Sequence, residues 1–147
     1  SNGNPKTLEF NCRFGDPETQ PILMRLESDI IELLEYGFSI KLDQATVYWY
    51  DGYAVGVVLA SHGYPSKSRI NDIISGLELV NNSEVKAFYA GVEYRNSKYY
   101  TSGGRVVCVT VKDSDLKTAQ FKAYEAIKKI NFAGMQYRTD IGNSAFS

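Results

Sequence analysis

The stretch Arg105-Val106-Val107-Cys108-Val109-Thr110-Val111-Lys112 is apolar on both sides of a period-two pattern. Val106, Cys108 and Thr110 alternate against Val107, Val109 and Val111. Alternation of that kind is a β-strand, and two apolar faces mean that something covers it on each side. Asp113-Ser114 ends the run, and Leu116, Ala119, Ala123, Ile127 and Ile130 then recur at helical spacing. A covered central strand followed by one long amphipathic helix predicts an α+β domain.

Upstream of this pair, Thr46 to Tyr50 and Tyr53 to Ser61 are rich in aromatic and β-branched residues, with Asp51-Gly52 between them. That pattern predicts a hairpin. Val85 to Val92 is a further strand candidate, and Arg95 to Gly104 reads as the connection into the central strand. Ile70, Ile73, Ile74 and Leu77 suggest a short helix, and Met135 to Arg138 a short final strand.

Residues 6–14 have a different texture. Leu8, Phe10, Cys12 and Phe14 alternate with Glu9, Asn11 and Arg13, which predicts a strand with one apolar and one polar face. Gly15-Asp16-Pro17 breaks it. A helix is expected from Thr19 as N-cap to a left-handed Gly37, with Leu23, Leu26, Ile30, Leu33 and Leu34 on one side.

Composition narrows the function. Sixteen Lys and Arg against 17 Asp and Glu leave a net charge of −1 over 147 residues. That balance predicts neither a nucleic-acid nor an anionic-membrane partner. The apolar stretch Tyr53 to Ala60 is too short to span a bilayer, and no leader peptide is read at the start. Cys12 and Cys108 both sit in apolar runs and are expected to be buried, reduced thiols of a cytoplasmic protein. One His and two distant Cys exclude the common zinc sites. His62 reads as a loop residue. No P-loop or G-x-G-x-x-G motif is present.

Three clusters could carry chemistry. Alternate side chains on a strand stand about 6.6 Å apart, so Glu9 and Asn11 could grip a hard cation, with Arg13 meeting an anion beside it. A solvated strand face has the same pattern. In Arg13 to Glu18, Gly15 frees the backbone while Asp16 and Glu18 could orient an amine or a metal; a helix-start turn looks alike. Ser102-Gly103-Gly104-Arg105 could be a backbone nest for an anion or a plain loop. Arg138 and Asp140 read as a structural ion pair near the end of the chain.

Taken together the segments resemble phosphoribosylamine–glycine ligases. The resemblance rests on Leu8 to Gln20, on Val57 to Ser61 with Gly63-Tyr64-Pro65, on Ala90-Gly91, on Gly103 to Val106, and on Tyr137-Arg138 with Asp140-Ile141-Gly142, in that order. Val92, Ser66 and His62 depart from the family pattern. The resemblance implies a carboxy-terminal fragment: residues 1–36 as the last strand and helix of an ATP-grasp domain, and residues 37–147 as the ligase's C-terminal domain. It implies Mg²⁺ or Mn²⁺ on Glu9 and Asn11, and ATP as co-substrate. Arg13 and Asp16 become catalytic, and Gly15, Glu18 and Arg105 bind the substrates glycine and 5-phosphoribosylamine. The fragment alone is expected to be inactive and to self-associate through residues 1–36. The alternative is a non-catalytic ligand-binding or interaction module derived from that domain.

Overall fold

The computed structural model describes Gly3 and residues 5–146. Two three-stranded antiparallel sheets form the domain, in the orders β1-β6-β3 and β2-β5-β4. The strands are β1 (Tyr53–Ala60), β2 (Ile73–Ile74), β3 (Val85–Tyr89), β4 (Val92–Arg95), β5 (Lys98–Thr101) and β6 (Arg105–Asp113). The helices are α1 (Thr19–Arg25), α2 (Ile30–Phe38) and α3 (Leu116–Ile127).

The double-apolar strand is central, as its pattern requires. β6 pairs with β1 from Tyr53↔Asp113 to Leu59↔Val107, and with β3 from Val85↔Val111 to Tyr89↔Val107. Val57, Leu59, Val109 and Val111 are fully buried with Ala119, Ala123 and Ile127 of α3. The small residues at 119 and 123 let the helix lie close to the strands. Asp115 caps α3 by accepting from the Thr118 N–H at 2.8 Å. On the opposite face, Gly56 and Cys108 meet α1: a Cβ at Gly56 would lie 3.0 Å from Pro21 Cγ and 3.3 Å from Cys108 Sγ.

Several local expectations are corrected. Residues 46–50 form no hairpin with β1; they run against the α1–α2 link through Glu27 N–H to Tyr48 O at 3.0 Å and Tyr50 N–H to Arg25 O at 2.7 Å. The single helix from residue 19 is two helices, because Asp29 caps a new start by accepting from the Ile31 N–H at 2.8 Å. Thr19 lies inside α1, and its hydroxyl donates to Gly15 O. Gly37 lies inside α2, and the left-handed position falls on Ile40 at φ 54°. There the Lys41 N–H reaches Tyr36 O at 2.9 Å and the Ile40 N–H reaches Gly37 O, a Schellman closure on a β-branched residue. The short helix expected near residue 73 is the strand β2 followed by a 3₁₀ turn at Leu77–Leu79. The Arg95–Gly104 connection contains β5, turned on Asn96 and Ser97 at φ 49° and 59°. Positive φ at both central residues suits a two-residue hairpin turn. The final strand reduces to one bridge, Ala60↔Gln136.

Candidate functional site

The polar stretch before α1 adopts no ladder. Residues 5–14 have no regular secondary structure, and Leu8 and Phe10 are 95% and 86% exposed. Cys12 is exposed as well, whereas Cys108 is buried as expected. A strand is held by its neighbour's N–H and C=O groups, and no strand among the described residues pairs with this one. The alternation therefore has no strand partner among the described residues.

Local order begins at Asn11, whose Nδ2 donates to Glu9 Oε1 at 2.9 Å. The i, i+2 spacing therefore puts these two side chains together. Arg13 Nη1 donates weakly to Phe14 O at 3.4 Å. Gly15 is buried, and the Glu18 carboxylate lies over it: a Cβ at Gly15 would sit 1.8 Å from Glu18 Oε1. The Thr19 N–H closes the turn on Gly15 O at 3.1 Å.

Asp16 is gripped from the sheet. Arg105, the first residue of β6, donates from Nη1 to Asp16 O at 3.0 Å and pairs Nε with Asp16 Oδ2 at 3.3 Å. Residues 89 apart in sequence are joined by one side chain. Arg105 is in turn set by the Gly103-Gly104 turn. Ser61, fully buried, donates its hydroxyl to Gly103 O at 2.8 Å and its N–H to Gly104 O at 2.9 Å. The Gly91 N–H donates to Arg105 O at 2.8 Å. The Gly-Gly-Arg segment thus serves as a loop whose carbonyls are fixed by neighbours. Ser61 and Gly91 are the site-supporting residues that pattern reading assigned no role. A serine at the end of an apolar strand was the available signal for the first.

Glu9, Asn11, Arg13, Gly15, Asp16, Glu18 and Arg105 all border one open cavity of about 480 Å³. It mixes carboxylates and an amide with two guanidinium groups. Glu9 and Asn11 supply only oxygen donors toward a cation, and Glu9 has no ion-pair partner among the described residues. That donor chemistry fits a Mg²⁺-class ion, which keeps most of its positions for water and phosphate. No group of three or more His, Cys, Asp or Glu suited to a metal occurs among the described residues.

The other singled-out groups lie elsewhere. Arg138 and Asp140 form a two-point ion pair at 2.9 and 2.7 Å, the structural pairing read from the sequence. His62 is an exposed loop residue, also as read. Burial pushes the Cys108 thiol up, against a contact with Thr110 Oγ1 at 3.5 Å that lowers it. Among the described residues no helix is long and apolar enough to cross a membrane.

Fold and cavity together define a small α+β domain that presents an acid-, amide- and arginine-lined groove at the start of its central strand. By sequence the chain belongs to the phosphoribosylglycinamide synthetase C-domain family, whose pattern it matches over residues 54–144. It is 46% identical over 145 residues to the phosphoribosylamine–glycine ligase of Vibrio vulnificus, covering 99% of this chain and 34% of that protein. It is 50% identical over 147 residues to the ligase of Neisseria meningitidis serogroup B, again covering 34% of the relative. A crystal structure of phosphoribosylamine–glycine ligase from Thermotoga maritima superposes with a TM-score of 0.73 at 34% identity, over 95% of this chain and 34% of that one. The chain therefore spans about a third of the length of the relatives it matches.

Proposed function

We propose that this chain acts as the carboxy-terminal part of an ATP-dependent ligase that joins glycine to 5-phosphoribosylamine in purine biosynthesis. Residues 1–36 are the end of an ATP-grasp domain, and residues 37–147 are the ligase's C-terminal domain. The observation that carries the reading is the convergence of all seven site residues on one cavity within a member of this family.

In this reading the glycine carboxylate attacks the γ-phosphorus of ATP, and ADP leaves. The resulting glycyl phosphate is attacked at its carbonyl by the amine of phosphoribosylamine. The C–O bond to phosphate breaks, and the amine loses a proton. Crowded anions dominate such a step, so charge neutralisation and positioning supply most of the catalysis. Arg13 offers its guanidinium to the transferring phosphoryl group. Asp16, fixed by Arg105 at both carboxylate and carbonyl, orients the attacking amine, and Glu18 and Gly15 border the glycine. Glu9 and Asn11 would hold Mg²⁺ or Mn²⁺, which when bound offsets phosphate charge. The chain alone turns over no ATP, and Leu8 and Phe10, left open to solvent, favour self-association through the first 36 residues.

The test is a chimera joining this chain to the upstream remainder of the Vibrio vulnificus ligase, assayed for ADP formation that requires both glycine and phosphoribosylamine. Glu9→Ala is expected to lower the rate by more than about a hundredfold, the loss of a key electrostatic group. Full activity in Glu9→Ala, or none in the unsubstituted chimera, refutes the reading.

A further inference from the structure

A cavity of about 500 Å³ opens where α1 ends and β1 begins. Pro21, Ile22 and Arg25 of α1 form one wall, and Trp49, Tyr53 and Ala54 the other. Main-chain pairing sets both walls in advance. The Tyr50 N–H donates to Arg25 O at 2.7 Å, the Glu27 N–H donates to Tyr48 O at 3.0 Å, and Leu26 bridges Trp49. Tyr53 pairs with Asp113 at one end of the central strand, whereas Arg105, which borders the acidic groove, pairs with Ala60 at the other. From Tyr53 to Ala60 the strand runs about 23 Å, and the two cavities have no lining residue in common.

Arg25 is the only charged residue of this lining; the rest is carbon and aromatic ring. It is half-buried and forms no ion pair among the described residues. Its one hydrogen bond runs from Nη2 to Tyr50 O at 3.3 Å, long for a charged donor. Nε is closed off from solvent without an acceptor, and Nη1 has no acceptor among the described residues. A guanidinium left this way is costly, because the hydration it lost has not been replaced. Its place as the last residue of α1 puts it in the favourable field of the helix end, yet its hydrogen bond goes to Tyr50 and not to a helix carbonyl. A second cation is not at hand: Lys112, opposite Ala54 in the sheet, lies over the Tyr50 ring at 4.9 Å. Trp49 and Tyr53 are about half exposed, and neither ring stacks on another among the described residues.

We propose that this cavity binds a small monocarboxylate with a flat apolar body, its carboxylate on Arg25 and its body against Trp49, Tyr53 and the Pro21–Ile22 side of α1. A planar guanidinium matches a carboxylate, and the rings and aliphatic carbons match a flat apolar group. One cation in a carbon-lined space neutralises one negative charge, so a phosphate dianion would keep a charge unmet there. An apolar majority with one orienting polar group, at this volume, is the usual make-up of a small-ligand pocket. The site is assigned on its own residues and does not depend on the ligase reading of the acidic groove. A ligand of about ten non-hydrogen atoms binds such a pocket at about 1 mM.

Trp49 is the single tryptophan of the chain, so its fluorescence reports this cavity directly. The experiment titrates the 147-residue chain with phenylacetate at constant ionic strength, and separately with phenylacetamide, its neutral isostere, and with acetate. A saturable change in Trp49 emission is expected with phenylacetate, at a midpoint of about 1 mM. Phenylacetamide and acetate are expected to bind at least about tenfold more weakly, the first for want of the charge and the second for want of the ring. Arg25→Met removes the charge and keeps an apolar stem, and is expected to bring phenylacetate down to the level of phenylacetamide. Removing an unpaired charge from a half-buried position leaves the fold intact, which the urea midpoint of the variant checks. Arg25→Lys keeps the charge without the planar fork and is expected to fall between the two. No saturable change by about 20 mM, equal affinity for phenylacetamide, or unchanged affinity in Arg25→Met overturns the proposal. The comparison with phenylacetamide needs no variant and decides the case even where Arg25→Met fails to fold.

Discussion

Gly91 and Gly103 touch each other, yet replacing them with alanine should have unequal effects. A Cβ on Gly91 would lie 2.7 Å from both Gly103 Cα and Gly103 N, and 2.8 Å from Arg105 O. Carbon contacts normally rest at roughly 3.5–4.0 Å, so backbone must retreat by about 0.8 Å. It has little room to do so. Ser61 holds Gly103 O, the Ser102 N–H holds Gly91 O at 2.8 Å, and the Gly91 N–H holds Arg105 O. Overpacking against pinned backbone belongs at the upper end of its usual range, about 2–3 kcal/mol. With a urea slope of about 2 kcal/mol per molar, Gly91→Ala lowers the unfolding midpoint by about 1–1.5 M. A Cβ on Gly103 instead meets Gly91 Cα at 3.3 Å and Arg105 O at 3.9 Å, so Gly103→Ala costs less than about 1 kcal/mol. Neither glycine has a positive φ, so backbone strain does not confuse the comparison. Equal losses, a larger loss for Gly103→Ala, or a Gly91→Ala loss under about 0.5 kcal/mol would refute this reasoning.

Two further outcomes follow from named residues. Ile40→Gly removes a β-branched side chain from φ 54° at a position 92% exposed, and should stabilise by about 1 kcal/mol, read as a rise of about 3 °C in Tm. An unchanged or lower Tm would mean that the left-handed residue carries no strain. Lys122 Nζ lies 2.7 Å from Asp113 Oδ2 and 2.6 Å from Glu84 Oε2. Its hydrogen bond holds the Asp113 carboxyl below the usual range, and the two carboxylates hold the ammonium above its own. A depressed carboxyl contributes stability above its unfolded pKa and loses it as pH falls through the folded value; the raised ammonium is protonated throughout that window. The advantage of the native chain over Lys122→Met should therefore hold at neutral pH and shrink below about pH 4, measured as paired urea midpoints. A pH-independent difference would refute the coupling.

The central strand and its helix were legible because their patterns are dictated by burial on both sides. β6 and α3 carry most of the fully buried side chains that β1 does not, with Ser61, Leu77, Thr101 and Ile130 adding the rest. The hairpin at Asn96-Ser97 was less visible, since its turn depends on two non-glycine residues accepting positive φ. The break between α1 and α2 hung on one capping aspartate set within an unbroken helical spacing of leucine and isoleucine. The site shows the same division. The i, i+2 spacing brought Glu9 and Asn11 together, and the turn brought Asp16 and Glu18 near them. The role of Arg105 toward Asp16 depends on tertiary approach and has no local signature.

The strand order β1-β6-β3 has a consequence for synthesis. A ribosome releases β1 and β3 first, and these two are not neighbours in the sheet. Each must wait for residues 105–113 before it gains a ladder. The β4–β5 hairpin closes locally in the meantime, since its strands are joined by two residues. The apolar β1 segment is thus without its permanent neighbour while some fifty residues are added, about 3–10 s at ordinary translation rates. Nascent chains of this domain are most vulnerable to misassembly in that interval. Slow codons between residues 61 and 104 would lengthen it, and a circular permutation opened between β1 and β3, which would bring β6 out before β1, would remove it.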